Sequence, residues 1–408
     1  MKVLQINTTV NTGSTGRIAE DIGNVLLESG HESYIAYGRG SNKSKSQLVK
    51  IGNKLDNYFH GLKTLIFDKH GFGSKYPTLK FIKKLHAINP DIIVLHNLHG
   101  YYLNIAVLFD YLIKTNKPVY WVMHDCWPFT GHCTFFDSVN CEKWKTHCNS
   151  CPKTSKYPSS LLIDNSKSNF ITKKELFNAL NKIQIITPSK WLNENVKLSF
   201  LKQPVTTIYN GINLDVFKLP LKKNGLRDRH LLGNKSVILG VASIWDKRKG
   251  LDDFLSLNTM LNDQEFQIIL IGLSKSQIKA LPSNIIGIER TENIQELAEY
   301  YAVADAFVNP TWQDNFPTTN IEALACGTPV ITYNTGGSPE SIDDTTGIVV
   351  NKGDIEALKN AIEKIKLKGK NFYQENCRRR AEELFDKNKN YTAYLALFQK
   401  IINDQKER

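Results

Sequence analysis

The chain has 408 residues, of which 41% are hydrophobic and 23% are charged, so its composition predicts an ordinary globular protein of two or three domains. The formal net charge of +12 and the pI of about 9.1 favour anionic partners, namely nucleic acid, an anionic membrane surface or phosphorylated small molecules. No apolar run approaches the roughly 18 residues of a membrane span. The N-terminal stretch MKVLQINTTV lacks a signal-peptide pattern, and we therefore expect a cytoplasmic protein.

The first half of the chain alternates short apolar strands with helical segments. A helical pattern through Ile18, Ile22 and Leu26 follows the first strand. The predicted strands are KVLQIN (2–7), SYIAYG (33–38), DIIVLHN (91–97), VYWVMHD (119–125) and IQIITPS (183–189). Short strands separated by helices indicate a parallel sheet with crossover helices.

The second half repeats this pattern. Its predicted strands are SVILGVAS (236–243), FQIILIG (266–272), AFVNPT (306–311), PVITYN (329–334) and GIVVN (347–351). Helical stretches GLDDFLSLNTML, IQELAEYYAVA and IEALACG separate some of them, and 371–402 has helical spacing. We expect an α/β fold of two doubly wound parallel-sheet domains facing across a cleft, where ligands bind at the carboxyl ends of the strands.

The predicted boundaries follow from this arrangement. Residues 1–207 form the first domain, with a cysteine-rich insert at 126–152, and residues 208–378 form the second. Residues 379–408 form a C-terminal helix that crosses back to the first domain, and the polar stretch 218–230 is a surface loop.

A glycine-containing turn, with Gly13, Ser14, Gly16 and Arg17, follows the first strand and opens a helix. Backbone N–H groups at a helix N-terminus suit an anion. The G-x-x-G spacing is not the dinucleotide fingerprint, and no P-loop motif occurs in the chain. The alternative is a tight strand-to-helix turn without a ligand.

Charged residues at two turns of the second half point to a phosphorylated ligand. Lys247, Arg248 and Lys249 stand between a strand and a helix, where they can neutralise a diphosphate, although a solvated basic loop is the alternative. Asp314 lies in the turn after a strand, and Glu322 is predicted in the first turn of the next helix. A turn former and a first-turn acid that complements the helix dipole are the alternatives for these two residues.

Five of the seven cysteines fall within 126–151. Cys133, Cys141, Cys148 and Cys151 end in a C-x-x-C pair, and four thiolates suit a structural zinc ion. A metal would order this loop-like segment, which has few aliphatic residues. Free thiols, disulfides or another metal are the alternatives.

The stretch 54–84 contains seven lysines and two aspartates, with aromatic and aliphatic residues between them. One interpretation is a helical pair that packs on the first domain. The other is a basic, aromatic surface that faces an anionic membrane.

Several motifs together resemble one enzyme family. They are NTGSTGRIAEDI, LHNLHGYYLNI, WVMHDCWPFTGHC, TPSKWL, YNGINLDVF, KRKGLDDFL and the long block from YYAVADAFVNPTWQDNF to TGGSPE, with the tail CRRRAEELFDKNKNYTAYLALFQK. They resemble the retaining glycosyltransferases of family 4, and most closely the branch for colanic acid, exopolysaccharide, capsule and O-antigen assembly. The resemblance spans nearly the whole chain and implies the GT-B fold of two Rossmann-like domains.

The resemblance also implies residue roles. Asp314 contacts hydroxyls of the donor sugar, and Glu322 binds the ribose of the nucleotide. Lys249 binds the diphosphate, and His124 lies beside the sugar, so that Asp314, His124 and Lys249 form the catalytic set. The implied donor-binding set is completed by Gly13, Ser14, Gly16, Arg17, Asn210, Lys247, Arg248, Asn315, Phe316, Pro317, Thr318 and Thr319.

The implied reaction is a retaining hexosyl transfer from a nucleotide sugar, with UDP favoured and GDP as the other choice. The acceptor is a saccharide or a polyprenyl-diphosphate-linked saccharide, which would bring the enzyme to the cytoplasmic face of the inner membrane. No Asp-x-Asp motif occurs, so no metal cofactor is expected in catalysis. Nucleic acid is not an expected partner.

Two departures from the family pattern bear on donor choice. The first acid is Asp314 where glutamate is usual, and Ser243-Ile244 replaces a Gly-Arg pair. The alternative functions are a nucleotide-sugar epimerase of the same fold and, from a different class, a zinc-stapled nucleic-acid-binding protein.

Overall fold

The computed structural model describes residues 1–219 and 225–406. Part of the loop predicted over 218–230, and the last two residues of the predicted C-terminal helix, lie outside the described residues. The chain forms two compact units, one of Met1–Tyr209 with Tyr391–Arg408 and the other of Asn210–Asn390.

The first unit is built on a parallel sheet. Its strands are β1 (Lys2–Asn7), β2 (Glu32–Tyr37), β3 (Gln47–Lys50), β4 (Ile92–Leu95), β5 (Val119–Val122), β6 (Ile183–Thr187) and β7 (Val205–Thr207). Their order is β3-β2-β1-β4-β5-β6-β7, and Val3 lies opposite Ser33 on one side and Ile92 on the other. The order reverses at β1 and β4, and doubly wound sheets bind ligands beside such a reversal.

The helices of this unit flank the sheet. They are α1 (Gly13–Glu28), α2 (Lys54–Phe67), α3 (Lys75–Ile88), α4 (Ile105–Thr115), α5 (Ser166–Asn178) and α6 (Lys190–Leu198). The segment 126–152 contains short 3-10 turns at Trp127–Phe129, Asp137–Val139 and Lys143–Lys145. Alternate strand residues face opposite sides: Leu4 and Ile93 belong to one apolar cluster, and Val3 and Ile92 to another.

The second unit repeats the design with fewer strands. They are β8 (Ser236–Val241), β9 (Phe266–Ile271), β10 (Ile285–Ile288), β11 (Ala306–Asn309), β12 (Val330–Tyr333) and β13 (Gly347–Val350). The parallel order is β10-β9-β8-β11-β12-β13, which reverses at β8 and β11.

Its helices are α7 (Leu226–Arg229), α8 (Leu251–Met260), α9 (Lys275–Ala280), α10 (Ile294–Val303), α11 (Thr318–Ala325), α12 (Ile355–Lys368) and α13 (Lys370–Leu384). A β-bridge pairs Ile212 with Asp386, near the two ends of the unit. The last helix, α14 (Lys387–Lys406), begins in the second unit and belongs to the first from Tyr391 onwards. Within the first unit, the Tyr120 hydroxyl donates a hydrogen bond to the Leu397 carbonyl at 2.7 Å.

The predicted α/β class, with two doubly wound parallel sheets, is confirmed. The sequence patterns missed β3, β7 and β10, which are short strands at sheet edges. The helical spacing predicted over 371–402 belongs to two helices, because the chain breaks at Phe385 to form the bridge with Ile212.

Candidate active site

Two loops at the strand reversal of the second unit carry the basic cluster and Asp314. Lys249 ends a 3-10 turn that follows β8, and Asp246 caps this turn by accepting the Lys249 backbone N–H at 3.0 Å. The loop after β11 is tied to the turn, because the Trp312 N–H donates to the Arg248 carbonyl at 2.8 Å. The Arg248 guanidinium donates to the Gln313 carbonyl at 3.2 Å.

These ties bring two predicted catalytic residues together. The Lys249 ammonium (Nζ) lies 2.5 Å from Oδ2 of Asp314, and the two side chains are 20% and 17% exposed. The other carboxylate oxygen of Asp314 accepts the Asn315 backbone N–H at 2.9 Å. Lys247 and Ser243, by contrast, are exposed.

Two glycines allow the backbone segments to approach this closely. At Gly250, with φ of +77°, a Cβ would lie 2.3 Å from the Pro310 carbonyl oxygen. At Gly336, with φ of +54°, a Cβ would lie 1.8 Å from the carbonyl oxygen of Asp314. Both positions require glycine for conformation and for space.

Glu322 lies in the second turn of α11, so its predicted place in the first turn is wrong. It is therefore not a first-turn acid that complements the helix dipole. Its side chain is buried, and Oε2 accepts a hydrogen bond from the Tyr301 hydroxyl at 2.9 Å. Burial raises the pKa of Tyr301 well above its ordinary value, so the hydroxyl keeps its proton and remains a donor. Tyr301 lies within the long motif that resembles the family, but the sequence alone does not indicate its contact with Glu322.

The turn between the two acids is mostly buried. Asn315, Phe316 and Pro317 are buried, and the Phe316 ring packs against Phe385 with centroids 5.7 Å apart. Thr318 and Thr319 are half-buried in the first turn of α11, where backbone N–H groups have no acceptor within the helix. The Phe316 and Pro317 side chains therefore pack the turn, whereas the threonines lie where an anion can be bound.

Asn210 is buried at the start of the second unit, beside the bridge of Ile212 with Asp386. Gly211 packs directly on the returning chain, since a Cβ there would lie 2.3 Å from Cα of Lys387. The structure thus places Asn210 in a fixed turn but gives no contact from it to Lys249 or Asp314.

The glycine turn of the first unit follows β1. Gly13, with φ of +65°, and Ser14 are exposed at the start of α1, and Arg17 is exposed one turn later. Gly16 is buried, and a Cβ there would lie 2.9 Å from the Thr9 hydroxyl oxygen. Gly16 therefore serves the packing of α1, and the exposed residues can meet a ligand.

His124 follows β5 and stacks on His96, which follows β4, with Nε2 and Nδ1 3.1 Å apart. Nε2 of His96 lies 2.9 Å from the Gln5 amide oxygen. Burial lowers the pKa of His124 to about 4 and that of His96 well below its ordinary value, so both rings are neutral near pH 7. Sequence reasoning gave no role to His96, although its position after a buried strand was a usable signal.

A second pair lies beside His124. Nε2 of His99 lies 2.6 Å from Oδ2 of Asp125, and Nδ1 of His99 lies 3.1 Å from the Tyr157 hydroxyl. Burial alone would raise the pKa of Asp125, but the contact with His99 outweighs it and lowers the pKa. This pair was also missed from the sequence, because His99 and Asp125 are 26 residues apart along the chain.

The four cysteines predicted to bind zinc line one small cavity of about 20 Å³, and Trp144 also lines it. The lining cysteines are Cys133, Cys141, Cys148 and Cys151. Over the part of the chain that the structure describes, no three side chains of His, Cys, Asp or Glu are grouped as a metal ion would require. The zinc site therefore stays a prediction.

Two protein-family models together match most of the chain. Residues 15–216 match the family model described as Glycosyltransferase Family 4, and residues 235–366 match that described as Glycosyl transferases group 1. WcaC of Escherichia coli K12, which its name provisionally assigns to colanic acid biosynthesis as a glycosyl transferase, is 25% identical over 372 residues, covering 88% of this chain and 89% of WcaC. The capsular polysaccharide biosynthesis glycosyltransferase CapM of Staphylococcus aureus is 26% identical over 166 residues, covering 38% of this chain and 43% of CapM.

Solved structures share the fold. Sucrose-phosphate synthase from Thermosynechococcus elongatus superposes with a TM-score of 0.74 at 18% identity, over 98% of this chain and 99% of that chain. Anabaena Alr3699/HepE, solved with UDP, has a TM-score of 0.71 at 15% identity, over 98% and 100% of the two chains. From the two matched regions and the shared fold, we conclude that this chain belongs to glycosyltransferase family 4, whose members have the GT-B fold.

Proposed function

We propose that this chain transfers a sugar from a nucleotide sugar, preferably a UDP-sugar, to a saccharide or a polyprenyl-diphosphate-linked saccharide, with retention of anomeric configuration. The reaction would serve the assembly of a bacterial surface polysaccharide. The observation that carries the proposal is the Lys249–Asp314 pair at the strand reversal of the second unit, with buried Glu322 on the helix that follows.

The two side chains of the pair would bind different parts of the donor. The Lys249 ammonium would leave Asp314 to bind the diphosphate, where it stabilises the negative charge that develops as the bond to the anomeric carbon breaks. The Asp314 carboxylate would then accept hydrogen bonds from sugar hydroxyls. Glu322, whose orientation Tyr301 fixes, would bind the ribose.

In the first unit, His124 would lie beside the sugar as a neutral ring, because burial lowers its pKa to about 4. A neutral imidazole both accepts and donates a hydrogen bond, which suits sugar hydroxyls. Gly13, Ser14 and Arg17 are exposed at the start of α1 and would contact donor phosphates or the acceptor.

The names of the relatives support this choice of substrate. WcaC and CapM are named for colanic acid and capsular polysaccharide biosynthesis, and HepE was solved with UDP and with UDP-glucose. Within residues 1–219 and 225–406, the structure contains no helix long and apolar enough to cross a membrane. We propose peripheral contact with the cytoplasmic face of the membrane, where a lipid-linked acceptor lies.

Calorimetry with UDP, GDP and duplex DNA tests the donor class, followed by donor hydrolysis with a panel of nucleotide sugars. We expect UDP to bind and DNA not to bind. Glu322→Ala should weaken UDP binding, whereas Asp314→Ala should mainly lower turnover. Absence of binding by any nucleoside diphosphate would overturn the proposal, and conversion of one donor sugar to its epimer without transfer would establish the epimerase instead. Proton NMR of the product reports the anomeric configuration.

A further inference from the structure

Helix α2 exposes an apolar face to solvent. Leu55, Tyr58 and Phe59 are 67%, 67% and 63% exposed, and Leu62 is 40% exposed. At about 100° per residue, these residues fall on one face of the helix. His60 and Thr64, which are buried, lie on the opposite face. The apolar face of α2 therefore points away from the core of its own unit, which is the reverse of an ordinary surface helix.

A loop extends this face. Leu161, Leu162 and Ile163 are 70%, 75% and 42% exposed. The loop is fixed to the end of α2, because the Leu161 N–H donates to the Leu65 carbonyl at 2.8 Å. The Asn165 side chain donates to the Phe67 carbonyl, also at 2.8 Å. We call the exposed face of α2 together with residues 161–163 the apolar patch. Contiguous exposed apolar residues of this kind mark an interaction site.

The charges around the patch identify its partner. Lys54 and Lys63 are exposed and flank the apolar face of α2. Residues 54–84 contain seven lysines but only two aspartates, and both aspartates have structural roles. Asp56 caps α2 by accepting the Asn53 backbone N–H at 2.9 Å. Asp68 is buried, and its Oδ1 lies 2.5 Å from Nδ1 of His132. The apolar face of α2 is therefore flanked by two exposed lysines, in a segment with five more lysines than aspartates.

We infer that the apolar patch inserts into the interface of an anionic phospholipid bilayer, with the surrounding lysines on the lipid headgroups. Tyrosine, phenylalanine and leucine on one face with lysine at its edges is the composition of helices that lie in a membrane interface. Lysines extend their charged ends to the headgroups while their stems cover apolar surface. The choice of a bacterial membrane rests on the proposed function, since a polyprenyl-linked acceptor lies there.

Sedimentation of the purified full-length protein with vesicles tests this inference. One set of vesicles is phosphatidylcholine alone, and the other contains phosphatidylglycerol. We expect binding to the anionic vesicles that decreases with salt. Phe59→Ser with Leu62→Ser, and separately Leu161→Ser with Leu162→Ser, should each lower vesicle affinity by at least about tenfold. Lys54→Glu with Lys63→Glu should lower it by about fivefold or more for each lysine.

The matched controls alter exposed residues of the same kinds outside the patch. Leu198→Ser with Leu367→Ser changes residues that are 56% and 89% exposed, and Lys202→Glu with Lys174→Glu changes exposed lysines. The controls should bind vesicles as the unmodified protein does. Equal vesicle binding by the patch and control variants would overturn the inference. A protein that forms dimers through the patch in size-exclusion chromatography, and does not bind vesicles, would also overturn it. UDP calorimetry on every protein separates the outcomes. Patch variants should keep UDP binding while they lose vesicle binding, whereas unmodified protein that binds UDP but not anionic vesicles would refute the docking surface alone.

Discussion

Lys249 and Asp314 form an ion pair in the second unit, although the proposed reaction assigns them to different parts of the donor. Each neutralises the other while no donor is bound, and the pair holds both side chains at the strand reversal. Under the proposed function, a donor would offer its diphosphate to the lysine and its sugar hydroxyls to the aspartate, so that two contacts would replace the ion pair.

Lys249→Ala should therefore weaken UDP binding by about tenfold to a hundredfold, the value of a hydrogen bond to a charged group. Calorimetry measures this loss. Lys275→Ala, at an exposed lysine of α9, is the control and should bind UDP normally. Unchanged UDP affinity in Lys249→Ala would remove the lysine from the diphosphate site.

Tyr301→Phe should lower UDP affinity by about tenfold, because it removes the hydrogen bond that orients the Glu322 carboxylate. Tyr301 touches no proposed donor atom, so the effect should appear in UDP affinity rather than in the turnover of saturated enzyme. Steady-state kinetics with a UDP-sugar, measured alongside UDP calorimetry, separate the two readouts. A drop in turnover with unchanged affinity would place Tyr301 elsewhere in the mechanism.

Gly336→Ala should lower the free energy of unfolding by several kcal/mol, beyond the roughly 1 kcal/mol of left-handed backbone strain, because its Cβ would collide with the Asp314 carbonyl. Gly233→Ala is the matched control, since Gly233 has φ of +53° and no atom within 4 Å of a Cβ. Urea unfolding compares the two variants, and equal losses would show that the strain alone matters.

Acid should destabilise the first unit between pH 6.5 and about 4. Burial lowers the pKa of His60 and of His124 to about 4. In this interval the unfolded chain binds protons that the folded chain does not, so the stability falls as the pH falls, by up to about 1.4 kcal/mol per pH unit for each histidine. His124→Gln should reduce the slope of urea-unfolding free energy against pH in this interval, and an unchanged slope would contradict the prediction.

The zinc prediction is tested by metal analysis of purified protein. We expect about one zinc ion per chain, and its loss in Cys148→Ser, because four thiolates complete a structural zinc site. Cys126→Ser is the control, since Cys126 is buried outside the cysteine-lined cavity. Unmodified protein that contains no zinc would show that the zinc prediction is wrong.

The α/β class and the central strands could be predicted from the sequence because strands buried on both faces, such as β4 and β5, are continuous apolar runs. None of the four residues of the edge strand β3 is buried, so this strand could not be recognised by the same signal. The sequence motifs predicted that Lys249, Asp314 and Glu322 belong to the same unit. The contact between Tyr301 and Glu322 joins residues that are 21 apart on different helices, so it could be seen only in the structure.

The bridge between Ile212 and Asp386 has a consequence for how the chain is divided. It places the two ends of the second unit side by side, so residues 210–390 form a continuous segment whose termini are already joined by hydrogen bonds. Segments with adjacent termini are the ones that tolerate excision and transplantation. Under the proposed function, exchanging residues 210–390 for the matching segment of a relative would transfer donor preference, with one junction before Asn210 and the other inside α14.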